Sequence, residues 1–75
     1  MKITVETGRW AARYMPDEIA TLELPEGATV QDAIDAAGLP ADEAGLVAVD
    51  GAAVARDYVL PDGGTVKIYA AIIGG

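Results

Sequence analysis

The residues of this sequence best placed to do chemistry are its last four, Ile72-Ile73-Gly74-Gly75. A carboxylate carried on two glycines can enter a narrow site. Glycine has no Cβ, so its backbone approaches a neighbour closely and adopts φ/ψ values closed to other residues. Four extended residues reach roughly 13–14 Å. A free carboxylate is a poor acyl donor, because its charge and resonance deter nucleophiles. The bland reading is chance, or a frayed end. Glycine makes up about 7% of residues, so a pair at one given place is roughly a 0.5% event. That weighs toward a working tail over residues 72–75, expected to be flexible, on a body of residues 1–71.

The residue types that are missing narrow the chemistry further. The sequence contains no Cys, His, Ser, Asn or Phe. The usual zinc and iron–sulfur ligand sets are therefore excluded, and no metal site is expected. Cysteine and histidine catalysis are excluded too. So is a ferredoxin, and so is a carrier whose prosthetic arm needs a serine. An acid–base carboxylate pair would need an organised pocket, which 75 residues can hardly build. The chain is not expected to be an enzyme, and no bound cofactor is expected.

Composition bears on partners. Five Lys and Arg stand against twelve Asp and Glu, a net charge of −7. Nucleic acid and anionic membranes call for the opposite balance. A basic patch on a protein partner suits it better, since charge there raises the on-rate and sharpens specificity. No run approaches 18 apolar residues, and the alternating N-terminus lacks a signal peptide's apolar stretch. A cytoplasmic location is expected. With 52% hydrophobic residues the chain has material for a core, which must hold one small domain without disulfide or metal.

The elements that must position the tail follow from the pattern. Residues 1–7 alternate as a strand with Ile3 and Val5 inward. Residues 8–18 form a long connection, with Trp10 and Tyr14 as partial lids on the core. A second strand follows, with Ala20, Leu22 and Leu24 alternating, and stops at Pro25. "TVQDAIDAAGLP" is the one good helix. Thr29 is the N-cap, and Asp32 completes an approximate capping box. Gly38 sits at the left-handed C′ position, with Leu39 as the contact beyond it. "LVAVDGAAV" is a hairpin turning at Asp50-Gly51. "ARDYVLPDGG" is a loop with one helical turn, in which Arg56-Asp57 forms a surface pair. Asp42, Glu43, Asp57 and Asp62 read as a solvated face. The last strand has Val66, Ile68 and Ala70 inward and Tyr69 outward, a candidate partner contact. Adjacent Ile72 and Ile73 cannot both face inward, so one of them is expected to meet a partner.

Strand, strand, helix, strand, short strand, strand describes an α+β β-grasp, or ubiquitin-like, fold: a mixed sheet of four or five strands cradling one main helix.

"LELPEGATVQDAI", "VAVDGAAV", "LPDGGTVKI" and the final Gly-Gly, in this order and spacing, resemble the ThiS/MoaD family of ubiquitin-like sulfur carriers over nearly the whole chain. The resemblance implies that Gly75 is adenylated by an ATP-using activating enzyme of the ubiquitin-activating type and then converted to a thiocarboxylate. A sulfurtransferase or other sulfur source supplies the sulfur. Gly74, Ile73 and Ile72 thread the tail into the partner, and an acceptor synthase takes the sulfur. The long first connection resembles the molybdopterin synthase small subunit, which implies the molybdopterin synthase large subunit as acceptor in molybdenum (or tungsten) cofactor biosynthesis. "YAAIIGG" carries alanines where those carriers carry prolines, so thiazole synthase in thiamine biosynthesis stands beside it. Two further readings share these residues: a protein modifier joined to lysines through Gly75, and a non-catalytic binding module with an incidental tail.

Overall fold

A computed structural model describes residues 1–71 of the 75-residue chain. The proposed tail, residues 72–75, lies outside the described residues. Five strands run in chain order: β1 (Lys2–Glu6), β2 (Ile19–Glu23), β3 (Ala44–Val49), β4 (Ala52–Val54) and β5 (Thr65–Ala70). One helix, α1 (Val30–Ala36), lies between β2 and β3. The sheet order is β2-β1-β5-β3-β4; β1 and β5 are parallel and the other pairs antiparallel. This is the mixed sheet with one helix that the strand pattern predicts. β5 lies at its centre.

Local chemistry explains the helix and its ends. Thr29 accepts a bond from the Asp32 amide at 3.3 Å, and the Asp32 carboxylate accepts one from the Thr29 amide at 2.8 Å. The capping box is complete, with Asp in place of the usual Glu. At the other end Gly38 takes φ +77°. Its amide donates to the Asp35 carbonyl and the Leu39 amide to the Ile34 carbonyl. These two bonds make a Schellman motif, and Leu39 is buried behind it. Val30, Ala33 and Ile34 face the sheet, fully buried. Burying a side chain of Val or Ile size contributes roughly 1.5–3 kcal/mol.

The core gathers Ile3 and Val5 of β1, Val47 and Val49 of β3, and Val66 and Ile68 of β5 beneath α1. Trp10 and Tyr14 pack on its edge, half-buried, as expected of lids. The same connection buries Ala11 and Met15. A 3₁₀ turn at Arg9–Ala11 places Ala11 inward, and the Met15 amide donates to the Ala11 carbonyl. Asp50 and Gly51, with φ of 48° and 90°, form the β3–β4 turn, a conformation that favours Asp-Gly.

Three expectations need correction. Residues 55–64 contain no helical turn. That loop instead spends its carbonyls on α1: Val30 donates to Tyr58 and Gln31 to Arg56. Arg56 forms no ion pair with Asp57 among the described residues; its guanidinium is bonded elsewhere. Ala70 continues the alternation of Val66 and Ile68 but is exposed. It lies beyond the last core residue of β5, so no packed layer covers it.

Candidate functional site

The chain reaches Ile72 from the far end of β5, so the surroundings of Ala70 and Ala71 define the site. β1 pairs with β5 only as far as Glu6 opposite Lys67. Beyond Lys67 the neighbour is β3 alone. Ala44 pairs with Ala70 and Val47 with Ile68, with a register shift between them. Gly45 and Leu46 therefore both stand opposite Tyr69, as in a β-bulge.

Gly45 is required by close approach rather than by dihedral angle. A Cβ built on it would lie 2.6 Å from the Ala70 carbonyl oxygen and 2.9 Å from the Ala71 Cα. The Ala71 amide donates to the Glu43 carbonyl at 2.9 Å. The segment 43–45 is held from two sides. Tyr14 Oη donates to a Glu43 carboxylate oxygen at 2.7 Å. Arg56 Nη2 donates to the Ala44 carbonyl at 2.6 Å and to the Gly45 carbonyl at 3.3 Å. Its Nη1 donates to Gln31 Oε1 at 3.4 Å.

The bulge turns Leu46 outward, 60% exposed, near Tyr69 at 43%. The Lys67 ammonium lies 5.5 Å from the Tyr69 ring centroid, within cation–π range. Tyr69 is therefore on the outer face, as alternation predicts. Gly75, Gly74, Ile73 and Ile72 lie outside the described residues. Among the described residues there is no pocket and no cluster of acidic side chains able to hold a metal. No helix of the described residues is long and apolar enough to cross a membrane.

Sequence reasoning missed Gly45, Leu46 and Arg56 and left Glu43 on a solvated face. The only local signal was "AGLV", a glycine between a loop and a strand, where a bulge is a standing possibility. Arg56 gave none.

The family profile described as Mut7-C ubiquitin matches residues 8–72, from the first connection to the end of the described chain and one residue beyond. The chain belongs to the Mut7-C ubiquitin family. The ubiquitin-like resemblance and the β-grasp fold read from the sequence both hold for this family member. Solved structures agree on the fold. SAMP1 from Haloferax volcanii superposes with a TM-score of 0.77 at 20% identity, over 100% of both chains. A candidate molybdopterin converting factor, subunit 1, from Pyrococcus furiosus gives 0.76 at 24%, over 96% of this chain and 99% of that one. Urm1 from Trypanosoma brucei gives 0.69 at 20%, over 99% and 95%. At these identities the likeness establishes architecture. No curated protein matches in sequence.

Proposed function

We propose that this member of the Mut7-C ubiquitin family is a sulfur carrier acting through the carboxylate of Gly75. The observation that carries the reading is the end of β5: a central strand of a ubiquitin-like fold is pinned at Ala71 by a bond to the Glu43 carbonyl, with two residues between Ala71 and Gly74-Gly75. In the proposed cycle a Gly75 carboxylate oxygen attacks the α-phosphorus of ATP and expels pyrophosphate. A sulfur nucleophile at the sulfide level then attacks the acyl carbon and expels AMP, leaving a thiocarboxylate. No electrons change hands in either step. The carrier supplies the acyl group. The ATP-dependent activating enzyme supplies the catalysis, and an acceptor synthase receives the sulfur. Where a sulfurtransferase is the source instead of sulfide, its persulfide displaces AMP to give an acyl disulfide, and a thiol then attacks the sulfurtransferase sulfur, releasing the thiocarboxylate and ending as a disulfide. Gly74, Ile73 and Ile72 thread into the partner's site. Tyr69 and Leu46 offer an apolar shelf on the outer face of β5 and β3 beside Ala70.

The fold likeness to the candidate molybdopterin converting factor subunit favours a molybdopterin (or tungstopterin) synthase large subunit as acceptor, with thiazole synthase next. A second reading, conjugation of Gly75 to lysines of target proteins, draws support from the fold likeness, over 95% of this chain, to a protein named small archaeal modifier protein 1. Activation is common to both readings.

Intact mass of the protein purified from its native host tests the proposal. A species heavier by one oxygen-to-sulfur exchange, lost when Gly75 is deleted, is expected. Only the carboxylate, even after incubation with ATP, a cognate activating enzyme and a sulfur source, would overturn it. A ladder of heavier conjugates on denaturing gels would favour the modifier instead.

A further inference from the structure

We infer that Arg56 is a positioning residue: its guanidinium staples the β3 bulge so that β5 delivers the tail from a fixed point and in a fixed direction. The inference rests on the reading that Gly75 is the reacting residue.

A bulge leaves a ladder locally disrupted and bends its strand. This one falls where β5 has lost β1, past the Glu6–Lys67 pair, and depends on β3 alone. Left unsupported, the Ala70–Ala71 stretch would be the weakest part of the ladder. Arg56 compensates. One guanidinium nitrogen spans the carbonyls of Ala44, the paired residue that flanks the register shift, and Gly45, the first residue of the bulge, and the other holds Gln31 on α1. Bonds from a charged donor are the stronger kind. The planar fork links strand and helix in a fixed geometry that an ammonium cannot reproduce.

Arg56 is itself anchored. Its carbonyl accepts from the Gln31 amide at 2.9 Å, and two residues on the Tyr58 carbonyl accepts from the Val30 amide at 3.0 Å. The first turn of α1 thus fixes the backbone that carries the guanidinium. Tyr14 holds Glu43 from the opposite side, and the Glu43 carbonyl accepts from Ala71, the last described residue. The path runs from α1 through Arg56 to the bulge, and from the bulge to Ala71.

A tail that must enter a narrow site benefits from a fixed starting direction. If only part of the population presents the tail correctly, apparent affinity for the partner falls by that fraction. Loosening the staple should therefore lower thiocarboxylation without unfolding the domain.

The test uses the full chain as wild type, Arg56→Lys and Arg56→Gln. Amide hydrogen exchange is followed by NMR at Ala71, Val66 and Ile68, and the thiocarboxylate fraction by intact mass after expression in the native host. For Arg56→Gln, Ala71 exchange should accelerate on the order of 10–100-fold, with Val66 and Ile68 unchanged. Arg56→Lys, able to reach one carbonyl, should fall between the two. The thiocarboxylate fraction should drop in the same order. Unchanged exchange at Ala71, or acceleration shared equally by Val66 and Ile68, overturns the inference. So does full thiocarboxylation in a variant whose Ala71 is released. If wild type itself carries no sulfur, the carrier reading fails, and the Ala71 exchange rates alone decide whether Arg56 is the staple. Should Arg56→Gln not fold, the Lys variant is judged against the same criteria.

Discussion

The two ends of β5 are built on opposite plans. At its start the strand is gripped from both sides. Thr4 donates to the Gly64 carbonyl and Gly63 to the Lys2 carbonyl. The Asp50 amide donates to the Thr65 carbonyl while Asp50 Oδ1 accepts from the Thr65 amide, each at 3.0 Å. Val66, just inside, is fully buried between Val5 and Val49. At the far end β1 has departed, β3 is bulged, and Tyr69 and Ala70 are exposed. One end carries stability; the other presents a surface. A small domain without cysteine or histidine must concentrate its packing somewhere. Concentrating it at the start of β5 leaves the exit free to be shaped by polar contacts.

The sharpest way to break this comparison is to remove packing at the start. Val66→Ala should cost about 2–3 kcal/mol, from the lost methyl groups and the cavity they leave. Urea unfolding should show a lower midpoint at unchanged slope. A loss below about 0.5 kcal/mol would mean that the start of β5 is not where the stability resides.

Gly45→Ala tests the exit. The new Cβ meets the Ala70 carbonyl and the Ala71 Cα, both backbone, so neither can rotate aside. Overpacking of this kind costs about 1–3 kcal/mol. If the ends are as independent as they look, the strain should be relieved by freeing Ala70–Ala71. The measured loss then sits near the lower limit, while Ala71 exchange accelerates more than in any Arg56 variant. A loss as large as that of Val66→Ala, with Val66 exchange also raised, would show the two ends to be coupled.

Legibility in the sequence divides along the same line. The capping box of Thr29 and Asp32, the Gly38-Leu39 stop and the Asp50-Gly51 turn were all readable, because each is settled by residues within about six positions. The inward faces of β1 and β5 were readable from alternation. The exit was not. The bulge exists only in the pairing of β3 with β5, about 25 residues apart in sequence. Arg56 looked like half of a surface ion pair because its partners Ala44, Gly45 and Gln31 lie 11 to 25 residues away. Glu43 looked like one solvated acid among several, since nothing in "ADEAG" announces Tyr14. Ala70 was placed inside by extending the period one step past the edge of the core.

Asp50→Ala probes the grip at the start without touching the core. It removes the acceptor of the Thr65 amide, and it puts alanine at φ 48°, which Asp tolerates better. The two effects together should cost about 1–2 kcal/mol, with exchange faster at Thr65 and unchanged at Ala71. Faster exchange at Ala71 would mean that β5 transmits strain along its length, against the division drawn above.

The smallest effect on stability is expected from Tyr69→Ser. Its ring is 43% exposed, and the Lys67 ammonium lies 5.5 Å from its centroid. An exposed cation–π contact contributes about 0.5–1 kcal/mol, so the urea midpoint should fall by less than in Val66→Ala. The carrier reading nevertheless asks something of this residue. Tyr69 and Leu46 stand on the outer face beside the point from which the chain continues to Gly75, and a partner receiving the tail must pass over them. Tyr69→Ser should therefore lower the thiocarboxylate fraction found in the native host while Ala71 exchange stays at the wild-type rate. Asp50→Ala shares the unchanged Ala71 exchange but alters the ladder at Thr65 and leaves the outer face intact, so it should keep the wild-type thiocarboxylate fraction. A Tyr69→Ser protein that is charged with sulfur as fully as wild type would show that the partner approaches from another side, with the exit serving direction alone.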